Sequence, residues 1–96
     1  MIKHIIMWKL KSELKNENSQ KAKTLLEALN GKIPGLLKLE VGIELVGSEN
    51  SADIIMYSEF ESEQAMADYM KHPEHVKLIP FMKSIREARY VMDYRI

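Results

Sequence analysis

Hydrophobic and polar residues alternate along four stretches of this chain and recur every three to four positions along two others. The first alternating stretch, from about Ile2 to Leu10, places Ile2, His4, Ile6, Trp8 and Leu10 on one face of a strand. Lys3, Ile5, Met7 and Lys9 fall on the other face, which Ile5 and Met7 make partly apolar, as in a strand covered on both sides near its middle. Leu37, Leu39, Val41, Ile43 and Leu45 alternate with Lys38, Glu40, Gly42 and Glu44, the cleanest strand pattern in the chain. A polar loop, Gly47 to Asp53, leads into a third strand with Ile54, Met56, Ser58 and Phe60 on one face. A fourth, from about Ala88 to Ile96, aligns Ala88, Tyr90, Met92, Tyr94 and Ile96, with Val91 among Arg89, Asp93 and Arg95 opposite.

Helical spacing fills the two gaps between the outer strands. Ala22, Leu25, Leu26, Leu29 and Ile33 form one stripe after Asn16-Glu17-Asn18-Ser19, whose side chains suit a helix start. Lys32 is expected near that helix's end, and Pro34-Gly35 stops it with a turn. Ser62 opens a second helix carrying Ala65, Met66, Tyr69 and Met70 inward. His72-Pro73 breaks it, because proline disfavours helical geometry in the preceding residue and has no amide proton to donate. Pro73 suits the first turn of a third helix, with Val76, Ile79, Phe81 and Met82 buried and a kink at Pro80.

The order is βαββαβ, with the second crossover in pieces. That order predicts an α+β, ferredoxin-like domain over residues 1–96, with both helical segments on one side of a four-stranded antiparallel sheet. The other sheet face would then expose apolar side chains, and a second copy of the chain is the expected cover, giving a homodimer.

Composition narrows the function classes. The 96 residues include 14 basic and 14 acidic side chains, so no net positive field favours nucleic acid, and Lys3, Lys9, Lys11 and Lys15 read as a protected strand edge. Without cysteine there is no disulfide, thiolate metal site or cysteine nucleophile. No apolar run approaches the roughly 20 residues that span a bilayer, and the opening residues do not form a signal peptide, so no membrane contact and a cytoplasmic location are expected. The glycines form no phosphate-binding loop, and no nucleophile elbow occurs. No cofactor is expected.

Three segments carry a family resemblance: Ile2-Lys3-His4-Ile5-Ile6-Met7-Trp8-Lys9-Leu10, Phe60-Glu61-Ser62 leading through Tyr69 to His72-Pro73-Glu74-His75-Val76, and Arg89-Tyr90-Val91-Met92-Asp93-Tyr94. In this order they resemble the stress-responsive dimeric α/β-barrel (Dabb) family, olivetolic acid cyclase-like proteins included, and the likeness covers nearly the whole chain. It implies a dimeric α+β barrel. By resemblance to the cyclase, His75 matches the base, Tyr69 its assisting tyrosine and His4 a pocket-lining histidine. Ile54 stands where the cyclase has a further pocket histidine, a departure that weakens the inference of cyclase activity.

The residues themselves allow two roles. An imidazole at His75 can take a proton from an activated carbon near neutral pH, and Tyr69 can donate to the oxygen that then gains charge. Equally, both rings can simply pack around the helix break. His72 is expected to cap the helix that Pro73 opens. His72 and His75 lack a third ligand at sensible spacing, so no metal is expected. Trp8, Ile54, Met56, Met66 and Phe81 are expected to line any apolar cavity. The leading expectation is a domain binding a small apolar ligand; the alternative is a cofactor-independent enzyme acting on a carbonyl substrate.

Overall fold

The computed structural model describes all 96 residues. Strands β1 (Ile2–Leu10), β2 (Leu36–Ile43), β3 (Ile54–Phe60) and β4 (Arg86–Arg95) form one sheet in the order β2-β3-β1-β4. Each neighbouring pair is antiparallel. Helix α1 (Lys15–Glu27) links β1 to β2, while α2 (Glu63–Lys71), α3 (Pro73–Val76) and α4 (Ile79–Ile85) link β3 to β4. This is the ferredoxin-like arrangement that the periodicity predicts.

Period-two burial decides which sheet face the helices cover. Ile2, His4, Ile6, Trp8 and Leu10 are all buried on β1, and Ile54, Met56, Ser58 and Phe60 are buried beside them on β3. Ala22, Leu26, Leu29, Ala65, Tyr69, Leu78, Met82 and Ile85 close over them from the helical side. The opposite face stays open. Met7, Ile55, Tyr90, Met92 and Tyr94 are exposed there, with Tyr90 and Met92 at 66% and 63%.

Several local expectations need correction. Helix α1 starts earlier than Asn16-Ser19 suggests: Leu14 takes a left-handed conformation (φ 53°) and its carbonyl accepts from the Asn18 amide at 2.9 Å, with no side-chain cap. Ser19 is buried within the helix instead. The helix ends at Glu27, so Lys32 is outside its last turn, and Leu29 and Ile33 reach the core from the following turns. On β2 the pairing with β3 shifts between Leu36 and Lys38, which breaks the alternation and leaves Leu37 57% exposed. Leu45 lies beyond the strand and is exposed. Val76 is exposed rather than buried and Met70 is only partly inward, whereas Leu78 and Ile85 belong to the core. Pro80 does not kink a long helix. It sits in the first turn of α4, where its missing amide proton costs no hydrogen bond.

Candidate functional site

Helix α2 is the element that aims the first functional ring. The Ser62 hydroxyl caps it by accepting from the Ala65 amide at 3.1 Å, and Glu63 and Lys71 match the polarity of its two ends. Residues four apart share a helical face, so Ala65 and Tyr69 both turn toward the sheet. Tyr69 is 1% exposed, packed against Phe60 with ring centroids 5.0 Å apart. Its hydroxyl finds no hydrogen-bond partner in the chain. Burial holds this phenol well above its ordinary pKa, with Arg89 opposing weakly, so it stays a proton donor at neutral pH.

The break after α2 places the second ring. Because Pro73 follows, His72 is extended, and its Nδ1 accepts from the Glu74 amide at 3.1 Å to cap α3. One turn later His75 lies against Tyr69, with centroids 4.3 Å apart. The Met70 carbonyl, in the last turn of α2, lacks an intrahelical partner, and His75 Nδ1 lies 3.3 Å from it. Nδ1–H donates there, which leaves Nε2 as the unprotonated nitrogen. Burial pushes the imidazole below the ordinary histidine range; the Met70 contact opposes this, and His4, Arg89 and His72 add to it. His75 is therefore neutral at pH 7.

His4 comes from β1 and is fully buried. The β1–β4 register sets it opposite Asp93, and its Nδ1 pairs with the Asp93 carboxylate. Its Nε2 is buried without a partner, and its ring meets Tyr69 edge-on at 6.1 Å. The Trp8 indole Nε1 is likewise buried and unpartnered.

A cleft of about 350 Å³ joins these parts. Ile6, Trp8 and Met56 form its floor, Leu26 one wall, and Tyr69, Met70, His75, Leu78, Ile79 and Met82 the other, with Lys83, Arg86 and Arg89 completing the lining. Of the predicted site residues, the structure brings Tyr69, His75, Trp8 and Met56 to this cleft and sets His4 just behind Tyr69. Ile54, Met66 and Phe81 do not line it: Ile54 is sealed into the core at 1% exposure, while Met66 and Phe81 pack against the core's outer side. Sequence reasoning missed Asp93 and the three cations. The pairing of Asp93 with His4 follows from strand register, which periodicity alone does not give. No three metal-capable side chains converge anywhere in the fold.

A model of the stress responsive A/B barrel domain, Dabb, matches residues 2–96. The chain belongs to the Dabb family. Among solved structures, this Dabb domain is similar to a dimeric protein of unknown function and ferredoxin-like fold from Bacteroides fragilis, at 31% identity and a TM-score of 0.88, covering 99% of this chain and 95% of that one. A dimeric ferredoxin-like protein of unknown function from Thermobifida fusca shares 19% identity at a TM-score of 0.88, covering 99% and 90%. A hydroxynitrile lyase from Passiflora edulis shares 17% identity at a TM-score of 0.85, covering 99% and 92%. Those last two likenesses are of fold. No curated protein matches the chain.

Proposed function

We propose that this Dabb domain binds a small, largely apolar molecule in the cleft between the sheet and helices α2 to α4. One observation carries the reading: an open apolar cleft is lined by Tyr69, whose hydroxyl has no partner in the chain, and by Trp8, whose indole N–H is buried without one. A buried polar group left without a partner costs about 1–3 kcal/mol. A carbonyl-bearing ligand would supply the missing acceptor. Trp8 is the only tryptophan and lines the cleft, so its fluorescence reports occupancy directly. Titration with methyl heptyl ketone is expected to change the Trp8 emission saturably and to raise Tm. Unchanged emission up to the ketone's solubility limit removes the reading.

A second reading, proton abstraction by His75, is favoured by the Met70 contact that leaves Nε2 as a free base beside the protonated Tyr69. In this mechanism Nε2 takes a proton from the carbon next to the carbonyl, and the Tyr69 hydroxyl donates to the enolate oxygen. In heavy water the α-protons of the ketone would exchange faster with the protein present than without it. His75→Ala is expected to abolish that acceleration while retaining binding. Equal exchange in the variant and the parent removes His75 from the chemistry.

The homodimer is part of the same proposal. The open face bearing Met7, Ile55, Tyr90, Met92 and Tyr94 has no cover within the chain, and the 31% identical Bacteroides protein is dimeric. Two such faces stacked would give the barrel.

A further inference from the structure

We infer that the ligand of the cleft is an amphipathic oxyanion, an apolar body ending in a carboxylate or phosphate held by Lys83, Arg86 and Arg89. The inference rests on the cleft being a ligand site and names the class of ligand. Three cations line the cleft, and no aspartate or glutamate does. Five cations of the chain are ion-paired, Lys15 with Asp53, Lys23 with Glu27, Lys38 with Glu40, Lys77 with Glu74 and Arg95 with Glu63. Lys83, Arg86 and Arg89 join none of these pairs, and of the cations left unpaired these three alone share the cleft. In a chain with 14 basic and 14 acidic residues, this unmatched group is a local arrangement, not a reflection of overall charge.

The backbone is bent to make it. Strand residues three apart point to opposite faces, so Arg86 and Arg89 would not both reach one cleft from a regular β4. The β1–β4 register pairs Trp8 with Arg89, Lys9 with Ala88 and Leu10 with Arg86. Glu87 is the extra residue of a bulge. It brings Arg86 back onto the face that Trp8, Leu10 and Arg89 share, the kind of re-aiming for which bulges serve. Arg89 is close enough to act electrostatically on both Tyr69 and His75, which ties the cationic lip to the two rings. Guanidinium forks match carboxylate and phosphate geometry and bind them more strongly than neutral acceptors. At about 30 Å³ per water-sized group, a cleft of about 350 Å³ holds roughly a dozen heavy atoms. An eight-carbon chain with an oxyanion head fits that capacity.

The test compares octanoate, octyl phosphate and octanol by Trp8 fluorescence and calorimetry on the intact protein. At least one anion is expected to bind about tenfold or more tightly than octanol, with a salt dependence that octanol lacks, and the tighter anion identifies the head group. The paired variant Arg86→Gln/Arg89→Gln, with folding checked by circular dichroism, is expected to lose that advantage while holding octanol within about twofold of the parent. Octanol binding as tightly as both anions, or an anion preference that survives in the paired variant, overturns the inference and leaves the cleft as an apolar site. If none of the three perturbs Trp8, the ligand-site reading itself falls, and the inference with it.

Discussion

Replacing Tyr69 with phenylalanine separates what the fold needs from what the cleft needs. The substitution deletes one oxygen and keeps the ring, so the contacts with Phe60 at 5.0 Å and His75 at 4.3 Å persist. A tyrosine retained for stability has a bonded hydroxyl, and losing such a bond costs about 0.5–1.5 kcal/mol. The Tyr69 hydroxyl is bonded to nothing in the chain, and Tyr69 is 1% exposed at the edge of the cleft. Removing it forfeits no hydrogen bond and relieves a desolvation cost of up to about 1–3 kcal/mol, of which water in the cleft already offsets part. A net gain of about 0–1 kcal/mol is the worked outcome, and for a domain of this size that is a rise in Tm of roughly 0–8 °C. A structural hydroxyl predicts a fall of similar size. Thermal melts and urea titrations of parent and Tyr69→Phe decide the sign, and ketone exchange measured on the same samples should drop in the variant. A clear loss of stability would refute the reasoning, because it would mean the hydroxyl is held by a partner in the folded chain.

Gly35 tests the seat of α2. Its φ is +81°, and a Cβ there would lie 2.5 Å from the Ala65 Cβ, so Gly35→Ala combines backbone strain of about 1–2 kcal/mol with overpacking of about 1–3 kcal/mol. Gly31 has φ +82° with nothing within 4 Å, so Gly31→Ala should show the strain alone; equal urea midpoints for the two variants would remove the clash from the account. His75 gives a pH test. Its folded pKa lies below the unfolded one, so its contribution to stability is complete above the ordinary value near ~6.5 and is lost as pH falls through the lower folded value. Urea midpoints should therefore decline on acidification through that window, more steeply for the parent than for His75→Gln. Glu27 and Glu74, whose carboxyls are held below their usual range by bonds to Lys23 and Lys77, act at lower pH still. On the open sheet face, the parent is expected to sediment as a dimer and Met92→Lys as a folded monomer, since Met92 is 63% exposed in the single chain. A dimer that persists in that variant places the contact elsewhere.

How much of this was legible in the sequence depends on the range of the interaction involved. Period-two burial on β1 and β3 is local, and Ile2, His4, Ile6, Trp8, Ile54, Met56 and Phe60 could be placed from spacing alone. Ser62 and His72-Pro73 were legible for the same reason, because a cap and a break are settled within a few residues. The failures have longer-range causes. Leu37 keeps a perfect alternation on paper, but the shift against β3 moves it out of phase. Pro80 reads as a kink only if one helix runs through it, whereas Leu78 ends one turn and the proline opens the next. Asp93 and the pair Arg86 and Arg89 depend on the register and bulge between the first and last strands, which lie more than seventy residues apart. Ile54, Met66 and Phe81 are apolar residues whose pattern says they are inside, but not which space they face.

The departures from good packing gather in one place. Away from the cleft most buried polar groups find partners: Ser58 donates to the His4 carbonyl at 2.7 Å, Asp53 accepts from the Leu10 amide at 2.7 Å, and Glu27 accepts from the Val41 amide at 3.0 Å. Around the cleft they do not. The Trp8 Nε1, the His4 Nε2 and the Tyr69 hydroxyl are unpartnered, three cations converge with no acid among them, and a bulge spends a regular strand pairing to turn Arg86 inward. The unpartnered Trp8 and Tyr69 groups weaken the isolated fold, and replacing those two rings with apolar ones of similar shape would be neutral or stabilising, whereas His4 holds Asp93 and its loss would cost stability. Local rules broken together beside one cavity are the mark of a site kept for binding and chemistry rather than for folding. Stability should therefore rise or hold, and ligand affinity fall, as the Trp8 N–H and the Tyr69 hydroxyl are removed in turn, an opposition that a purely structural cluster would not produce.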